Sequence, residues 1–292
     1  MADFRLGIIG GTGLGEALGA LGEGEVREVE TPFGRPSAPI VLTEVDGVPL
    51  ALLSRHGNGH RFNPTQVPYR ANLYALKSLG VTHVLASGAV GSLREEIAPR
   101  HLVIPDQAMD RTIRRASTFF EELSVHVDFA EPFCPHLRRV LLAAGEGMDV
   151  PVHPRGTYLC MEGPQLSTRA ESQLHRTWGA DLIGMTLMPE AKLAREAELC
   201  YATVALVTDY DCWRPHPPCS DAPSVIQEIV GNLKGATANA LVLLRRALPK
   251  VAEATRTPCA CQSALRFGVW SDRRTLGPEA SARLALLLPQ AP

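Results

Sequence analysis

Short runs of valine, isoleucine, leucine and alanine recur along this chain, and each breaks off into glycines or polar residues. Leu6-Gly7-Ile8-Ile9 stops at Gly10-Gly11-Thr12-Gly13-Leu14-Gly15, and residues 48–54 stop at Arg55-His56-Gly57. Residues 82–86 stop at Ser87-Gly88-Ala89, 156–161 at Glu162-Gly163-Pro164-Gln165, and 181–184 at Met185-Thr186. The run 200–207 passes into Thr208-Asp209-Tyr210-Asp211. Apolar stretches this short, bounded by such punctuation, read as strands buried on both faces of a parallel-type sheet. Helical spacing fills the gaps: 68–80 sets Tyr69, Leu73 and Leu76 on one side, and 140–148 reads as helix. Thr168 to Glu171 carries a capping pattern, Pro189 opens a helix to about 198, and the longest spans about 224–248. Strand–helix alternation predicts an α/β fold: residues 1–248 as a single domain with a central, largely parallel mixed β-sheet flanked by helices. Residues 249–292 change character and form a tail whose packing the sequence leaves open.

Ligands of such sheets gather outside the carboxyl ends of the strands, so the polar strand ends are the candidate site. Strand, glycine loop and helix at 6–17 can cradle an anion, because glycine lets backbone N–H groups approach closely. A plain glycine turn fits as well. The Rossmann spacing fails, since Glu16 stands where the third glycine should be, and the P-loop fails because Glu16 replaces its lysine. Arg55 offers a planar donor fork suited to phosphate, with His56 beside it. The pair Asp209-x-Asp211 can bind a metal, perform acid–base chemistry, read a polar ligand, or cap a helix.

Charge narrows the classes. A net charge of −2 and a pI near 6.5 give no basic field for nucleic acid, and the clusters 111–115 and 245–246 read as solvated faces. No apolar run is long enough to span a bilayer, and a strand begins almost at once, so no membrane partner and a cytoplasmic location are expected. Seven scattered cysteines, at 134, 160, 200, 212, 219, 259 and 261, are not a secreted disulfide framework. Cys259-Ala260-Cys261 is too tight for a paired zinc knuckle and no second Cys/His pair follows it, so no metal is expected.

Taken in order, the motifs are more specific than any one of them. Gly-Gly-Thr-Gly-Leu, Thr-Pro-Phe-Gly-x-Pro-Ser, Arg-His-Gly, Gly-Ser-Leu-Arg-Glu-Glu, Ala-Glu-Pro-Phe-Cys-Pro, Glu-Gly-Pro, Ser-x-Arg-Ala-Glu-Ser, Arg-Thr-Trp-Gly-Ala-Asp, Met-Thr, Pro-Glu and Thr-Asp-Tyr-Asp-Cys-Trp occur here in sequence. Residues 6–248 thereby resemble the methylthioadenosine phosphorylases, within the trimeric purine nucleoside phosphorylase family. The resemblance implies a pentosyltransferase that cleaves S-methyl-5′-thioadenosine with inorganic phosphate, giving adenine and 5-methylthio-ribose 1-phosphate for purine and methionine salvage. It implies a homotrimer and no cofactor, phosphate being the co-substrate.

By the same resemblance, phosphate is held by Gly10, Thr12, Arg55, His56, Ala89 and Thr186, and the ribose meets Met185. The base lies beside Glu162 to Leu166, with Asp209 and Asp211 at its polar edge. His126 is lent by a neighbouring subunit to the 5′ end of the sugar, and Ala222, Val225 and Ile226 line an apolar 5′ pocket. The chemistry suits these residue types. Cleavage to a purine gives an oxocarbenium-like sugar, which a fixed phosphate stabilises, and a carboxyl of raised pKa can protonate N7 of the departing base. That role falls to Asp209, with Asp211 in support. A carboxylate accepts from the 6-amino group of adenine and rejects a 6-oxo group.

Four positions depart from the family pattern. Gly88 stands where a phosphate-binding Thr is common, Leu166 where a Phe stacks on the base, Gln165 for an Arg, and Gly184 for an Asn. They leave open a phosphorylase for another 5′-modified adenosine (5′-deoxy or 5′-halo), one for 6-oxopurine nucleosides, or a non-catalytic nucleoside-binding protein. Some archaeal relatives carry a Cys-x-Cys near the carboxyl terminus and internal disulfides. Cys259 and Cys261 resemble that pattern, with Cys134 and Cys200 as conceivable partners, and free thiols are expected in a reducing cytosol.

Overall fold

A computed structural model describes residues 5–17, 19, 23–214, 222–254 and 257–288. In chain order, β1 (Arg5–Gly10) turns through the glycine loop into α1 (Leu14–Ala17), followed by β2 (Glu25–Arg27), β3 (Ile40–Val45) and β4 (Val48–Ser54). Helix α2 (Tyr69–Ser78) leads to β5 (Val81–Ser92), then β6 (Leu102–Val103), β7 (Gln107–Arg111) and α3 (Pro135–Gly145). Next come β8 (Val152–His153), β9 (Thr157–Met161), α4 (Arg169–Thr177), β10 (Leu182–Gly184), α5 (Leu187–Glu196) and β11 (Cys200–Asp209). The chain closes with α6 (Ala222–Ala254) and α7 (Pro278–Leu284).

The 12-residue β5 is the hub of the sheet. Parallel ladders join it to β1 and, along nearly its whole length, to β11, while its last residues pair antiparallel with β10. The order β2-β3-β4-β1-β5-β10-β9-β7, with β11, β6 and β8 branching from β5, makes the sheet mixed but mainly parallel. Nine of the ten residues of β11 are buried, as an apolar strand covered on both faces must be. Two cores sit on the two sides, one under α2 and α5 and the other under α3 and α6. Thr168 caps α4 reciprocally with Glu171, as its spacing implied.

Boundaries differ from the sequence reading for local reasons. Helix α3 begins at Pro135 rather than 140, because proline at the first helical position sacrifices no needed N–H. Helix α6 runs through 248 and past Pro249 to Ala254. The segment beyond it packs onto the sheet: Leu265, Leu284 and Leu287 join one core, and Cys259 and Cys261 the other. Arg115 belongs to the cluster expected to be solvated, yet its side chain is 1% exposed. No helix among the described residues is long and apolar enough to cross a membrane.

Candidate active site

Two polar groups form where the strands end. The first surrounds the glycine loop. Gly11 donates its N–H to the Ser87 hydroxyl at 3.2 Å, and Arg55 donates its own N–H to the Gly10 carbonyl at 2.9 Å. A Cβ on Gly11 would lie 2.5 Å from the Ser87 carbonyl and 2.6 Å from Arg55 Nη1, so only glycine permits this approach. Gly10, Thr12, Arg55, Ala89 and Thr186 are thereby gathered at neighbouring strand ends: β1 and β4 are paired, β1 and β5 are paired, and Thr186 Oγ1 lies 3.4 Å from the Cβ position of Gly88.

Arg55 is 1% exposed and largely committed. Its Nε and Nη2 donate to the two oxygens of Glu190 at 2.6 Å each, and Nη1 donates to the Ser87 carbonyl at 2.5 Å. Tyr201 donates a further bond to Glu190 at 2.8 Å. Burial works against the Arg55 charge, but Glu190 outweighs it and holds the guanidinium pKa above its ordinary value. Three of the five N–H groups are spent inside the chain, which leaves one on Nη1, beside the loop, and one on Nη2 for an anion.

His56 is also buried, with Nδ1 2.8 Å from the Phe62 carbonyl and its ring stacked on His60 at 4.3 Å. That carbonyl accepts only from an N–H, which fixes the tautomer and leaves Nε2 to face a ligand. Burial, aided by Arg55, pushes its pKa down to about 4.

The second group lies at the far end of β5. Ladder pairs run from Val207 opposite Val90 to Asp209 opposite Gly91, with a register shift between them. This bulge inserts Thr208 and swings Asp209 over Gly91, whose Cβ position is 3.3 Å from Asp209 Oδ2 and 3.2 Å from Asp211 Cβ. Asp211 takes a left-handed φ of 48° and donates its N–H back to Asp209 Oδ2 at 2.9 Å. Thr208 Oγ1 lies 2.5 Å from Asp209 Oδ1 and 3.1 Å from the Val90 carbonyl. The single hydroxyl proton is shared between these two acceptors, and a proton on Asp209 would relieve the sharing. Burial raises the Asp209 pKa, in the same sense. Asp211 Oδ2 is buried with no hydrogen-bond partner among the described residues, an acceptor left for a donor from outside the chain. The four steps of strand from Ser87 to Gly91 separate the two groups by roughly 13 Å, room for a sugar and a bicyclic base.

Other expected positions fall differently. Glu162, expected beside the base, turns its carboxylate onto the chain itself. It accepts from Thr65 Oγ1 (2.6 Å), the Ile113 and Arg114 N–H groups (2.6 and 3.2 Å) and Arg115 Nε (3.2 Å). Against its burial, Thr65 and those N–H groups hold it down to about 2. Arg115 then fixes Met185, donating to its carbonyl at 2.5 Å. Met185 packs on Gly163, so that residue stays beside the Glu162 loop. Leu166 is 72% exposed and Ile226 60% exposed, neither yet enclosed as a base or 5′ pocket would require. The side chains of Ala222 and Val225 lie outside the described residues. His126 stands apart from both groups, against the carboxyl-terminal segment, with its ring 4.4 Å from Trp270.

Sequence reading missed Glu190, Arg115 and Tyr158. Tyr158 is buried, and its hydroxyl has no hydrogen-bond partner among the described residues. It occupies the place of a side chain at 184: a Cβ on Gly184 would lie 1.9 Å from Tyr158 Oη, and the Cβ position of Gly88 lies 3.8 Å from the same atom. The small residues at 88 and 184 are the only signal for it that the sequence held.

Residues 5–249 match the model of the phosphorylase superfamily. The S-methyl-5′-thioadenosine phosphorylase of Geobacter sulfurreducens is 48% identical over 287 residues, 97% of either chain. A methylthioadenosine phosphorylase from an Antarctic soil metagenomic library superposes with a TM-score of 0.89 at 45% identity, over 99% of this chain and 100% of that one. The methylthioadenosine phosphorylase of Schistosoma mansoni, in complex with adenine, gives 0.83 at 33% identity over 91% and 99%.

The neutral His56 has a stability consequence. Its folded-state pKa is depressed, so the unfolded chain binds the extra proton, and its contribution is complete above about 6.5 and lost as pH falls toward about 4. Thermal melts across that window should show a decline in wild type that is shallower in His56→Gln. Parallel declines would show that His56 contributes nothing.

Proposed function

Because this chain belongs to the phosphorylase superfamily, and within it to the S-methyl-5′-thioadenosine phosphorylases, we infer that it catalyses phosphorolysis of S-methyl-5′-thioadenosine to adenine and 5-methylthio-ribose 1-phosphate. The observation that carries the reading from the site is the aspartate pair at the carboxyl end of β11. Burial raises the Asp209 pKa, and beside it Asp211 keeps an open acceptor. A purine whose N7 must gain a proton and whose 6-amino group must find an acceptor fits that pair.

Phosphate sits at the glycine loop, held by backbone groups of Gly10, Thr12 and Ala89, the Thr12 and Thr186 hydroxyls, and Arg55. Neutral His56 presents Nε2, which accepts from a protonated phosphate oxygen. As the C1′–N9 bond breaks, its electron pair passes to the purine, which Asp209 protonates at N7. A phosphate oxygen then closes on C1′ to give the sugar 1-phosphate. Positioning the anion beside the developing cation supplies most of the acceleration, without a covalent enzyme intermediate. Met185, braced by Arg115, holds the ribose. His126 serves the site of a neighbouring copy, which makes a homotrimer the working assembly. Ile226, near the head of α6, lines the 5′ side of the site.

The panel that tests this measures base release from methylthioadenosine, adenosine and inosine, with and without phosphate. Release should require phosphate and favour methylthioadenosine, with inosine poorest. Turnover without phosphate, or a preference for inosine, would sink the reading. Asp209→Ala should cut turnover by about 10²–10⁴-fold on natural purines, and far less on a substrate with an activated leaving group. Equal losses on both would exclude a proton donor.

Tyr158 supplies the donor that Gly88 lacks. Burial raises the phenol pKa, so it remains a donor throughout the working range. A hydrogen bond to a charged acceptor contributes roughly 1.5–3 kcal/mol, so Tyr158→Phe should raise the phosphate KM about ten- to a hundredfold and leave the nucleoside KM unchanged. A Cβ at Gly88 would lie at ordinary contact distance from Thr186 and Tyr158, and Gly88→Thr should restore much of the loss in the double variant. An unchanged phosphate KM in Tyr158→Phe would show the hydroxyl to be a bystander.

A further inference from the structure

Four of the seven cysteines converge on one point that the reaction does not use. Cys134 stands at the head of α3, Cys200 opens β11, and Cys259 and Cys261 belong to the carboxyl-terminal segment. Their sulfurs all lie within 4.8 Å of one another, and Cys134 Sγ to Cys259 Sγ is 3.7 Å. All four residues are buried. A tetrahedron with metal–sulfur bonds of about 2.3 Å has edges of about 3.8 Å, so four thiolates at this spacing enclose one ion. The spacing that made Cys-x-Cys too tight for a knuckle is no obstacle when the other two ligands come from elsewhere in the fold.

We propose that Cys134, Cys200, Cys259 and Cys261 bind one zinc ion in a closed, structural tetrathiolate site. Four S–H protons pass to solvent as four zinc–sulfur bonds form, and no electrons move. Four soft sulfur donors with no open position suit zinc held for structure rather than catalysis. The complex carries a net charge of −2, and the surroundings favour it. Cys134 is the N-cap residue of α3, where the helix N-terminus stabilises a thiolate, and Arg195 lines the same cleft as Cys261. A cleft of about 630 Å³, lined by His126, Glu131, His136, Arg195, Cys259 and Cys261, gives an ion its way in.

The site would fasten the carboxyl-terminal segment to the sheet, and that segment in turn holds His126. The His126 N–H donates to the Gly268 carbonyl at 2.8 Å, Trp270 donates its N–H to the Ser124 carbonyl at 3.0 Å, and Val125 bridges Val269. Zinc therefore sets the position of the residue that the proposed trimer lends to its neighbour, although binding of the ion does not depend on that reading.

The test uses the full chain, purified under reducing conditions without added metal. Elemental analysis should find about one zinc per chain. Replacing it with cobalt(II) should give the intense sulfur-to-cobalt charge transfer and visible bands of a tetrahedral tetrathiolate. Cys261→Ser should weaken zinc binding at least about tenfold. Chelation of wild type should increase amide exchange in 257–271 and 124–126 together. Four titratable thiols with neither zinc nor the cobalt spectrum would overturn the proposal, as would a mass lowered by the hydrogens lost to disulfides. The cobalt and mass measurements need no variant, so a misfolded Cys261→Ser leaves the test decisive.

Discussion

The buried pair of Arg55 and Glu190 is the contact on which the site depends. Two charges with side chains 1% and 0% exposed sit at 2.6 Å, joining the end of β4 to helix α5. Tyr201 of β11 adds a third element through Glu190, and the Ser87 carbonyl of β5 a fourth through Arg55. Such a pair gains little over a well-packed apolar substitute, but removing one partner costs about 3–5 kcal/mol because the other charge is stranded. Its use here is registration. Four elements that could slide past one another are pinned by directional bonds, and Nη1 is placed beside the glycine loop to within the slack of a guanidinium.

The second polar group is held by different means. Asp209 and Asp211 are positioned by a bulge, a left-handed residue and a bond between neighbouring residues, all local to the end of β11. A distant ion pair therefore sets the anion end, while strand irregularity sets the base end. The two are coupled through β5, which both borrow, and through β11, which carries both Tyr201 and Asp209. Arg115 and Glu162 form a third brace, under Met185 and Gly163, between the two ends.

Much of this was legible in the sequence, for physical reasons that can be named. Strands buried on both faces cannot hide their composition, so β1, β4, β5, β9, β10 and β11 and their polar ends could all be read from order alone. The roles of charged residues could not. Arg115, within an arginine-rich stretch, looks like solvated surface, and Glu162, directly before Gly-Pro, looks like a ligand. Only the folded chain sets them 3.2 Å apart. Tyr158 likewise looks like ordinary strand filling until Gly184 and Gly88 are seen to make room for its hydroxyl. Cys134 and Cys200 are 66 residues apart and reach Cys259 and Cys261 only through tertiary contacts, which spacing rules do not see.

The bulge at Thr208 also bears on how such a chain can change over time. Strand residues alternate faces, so an extra residue exchanges which side chains look into the pocket and which look into the core. Substitutions along β11 alter the site one contact at a time. Loss of Thr208 would instead leave Asp209 opposite Gly91 without the bulge that aims its side chain, and a residue gained there would carry Asp209 toward Ser92. Drift by substitution is open here, but drift in length is closed.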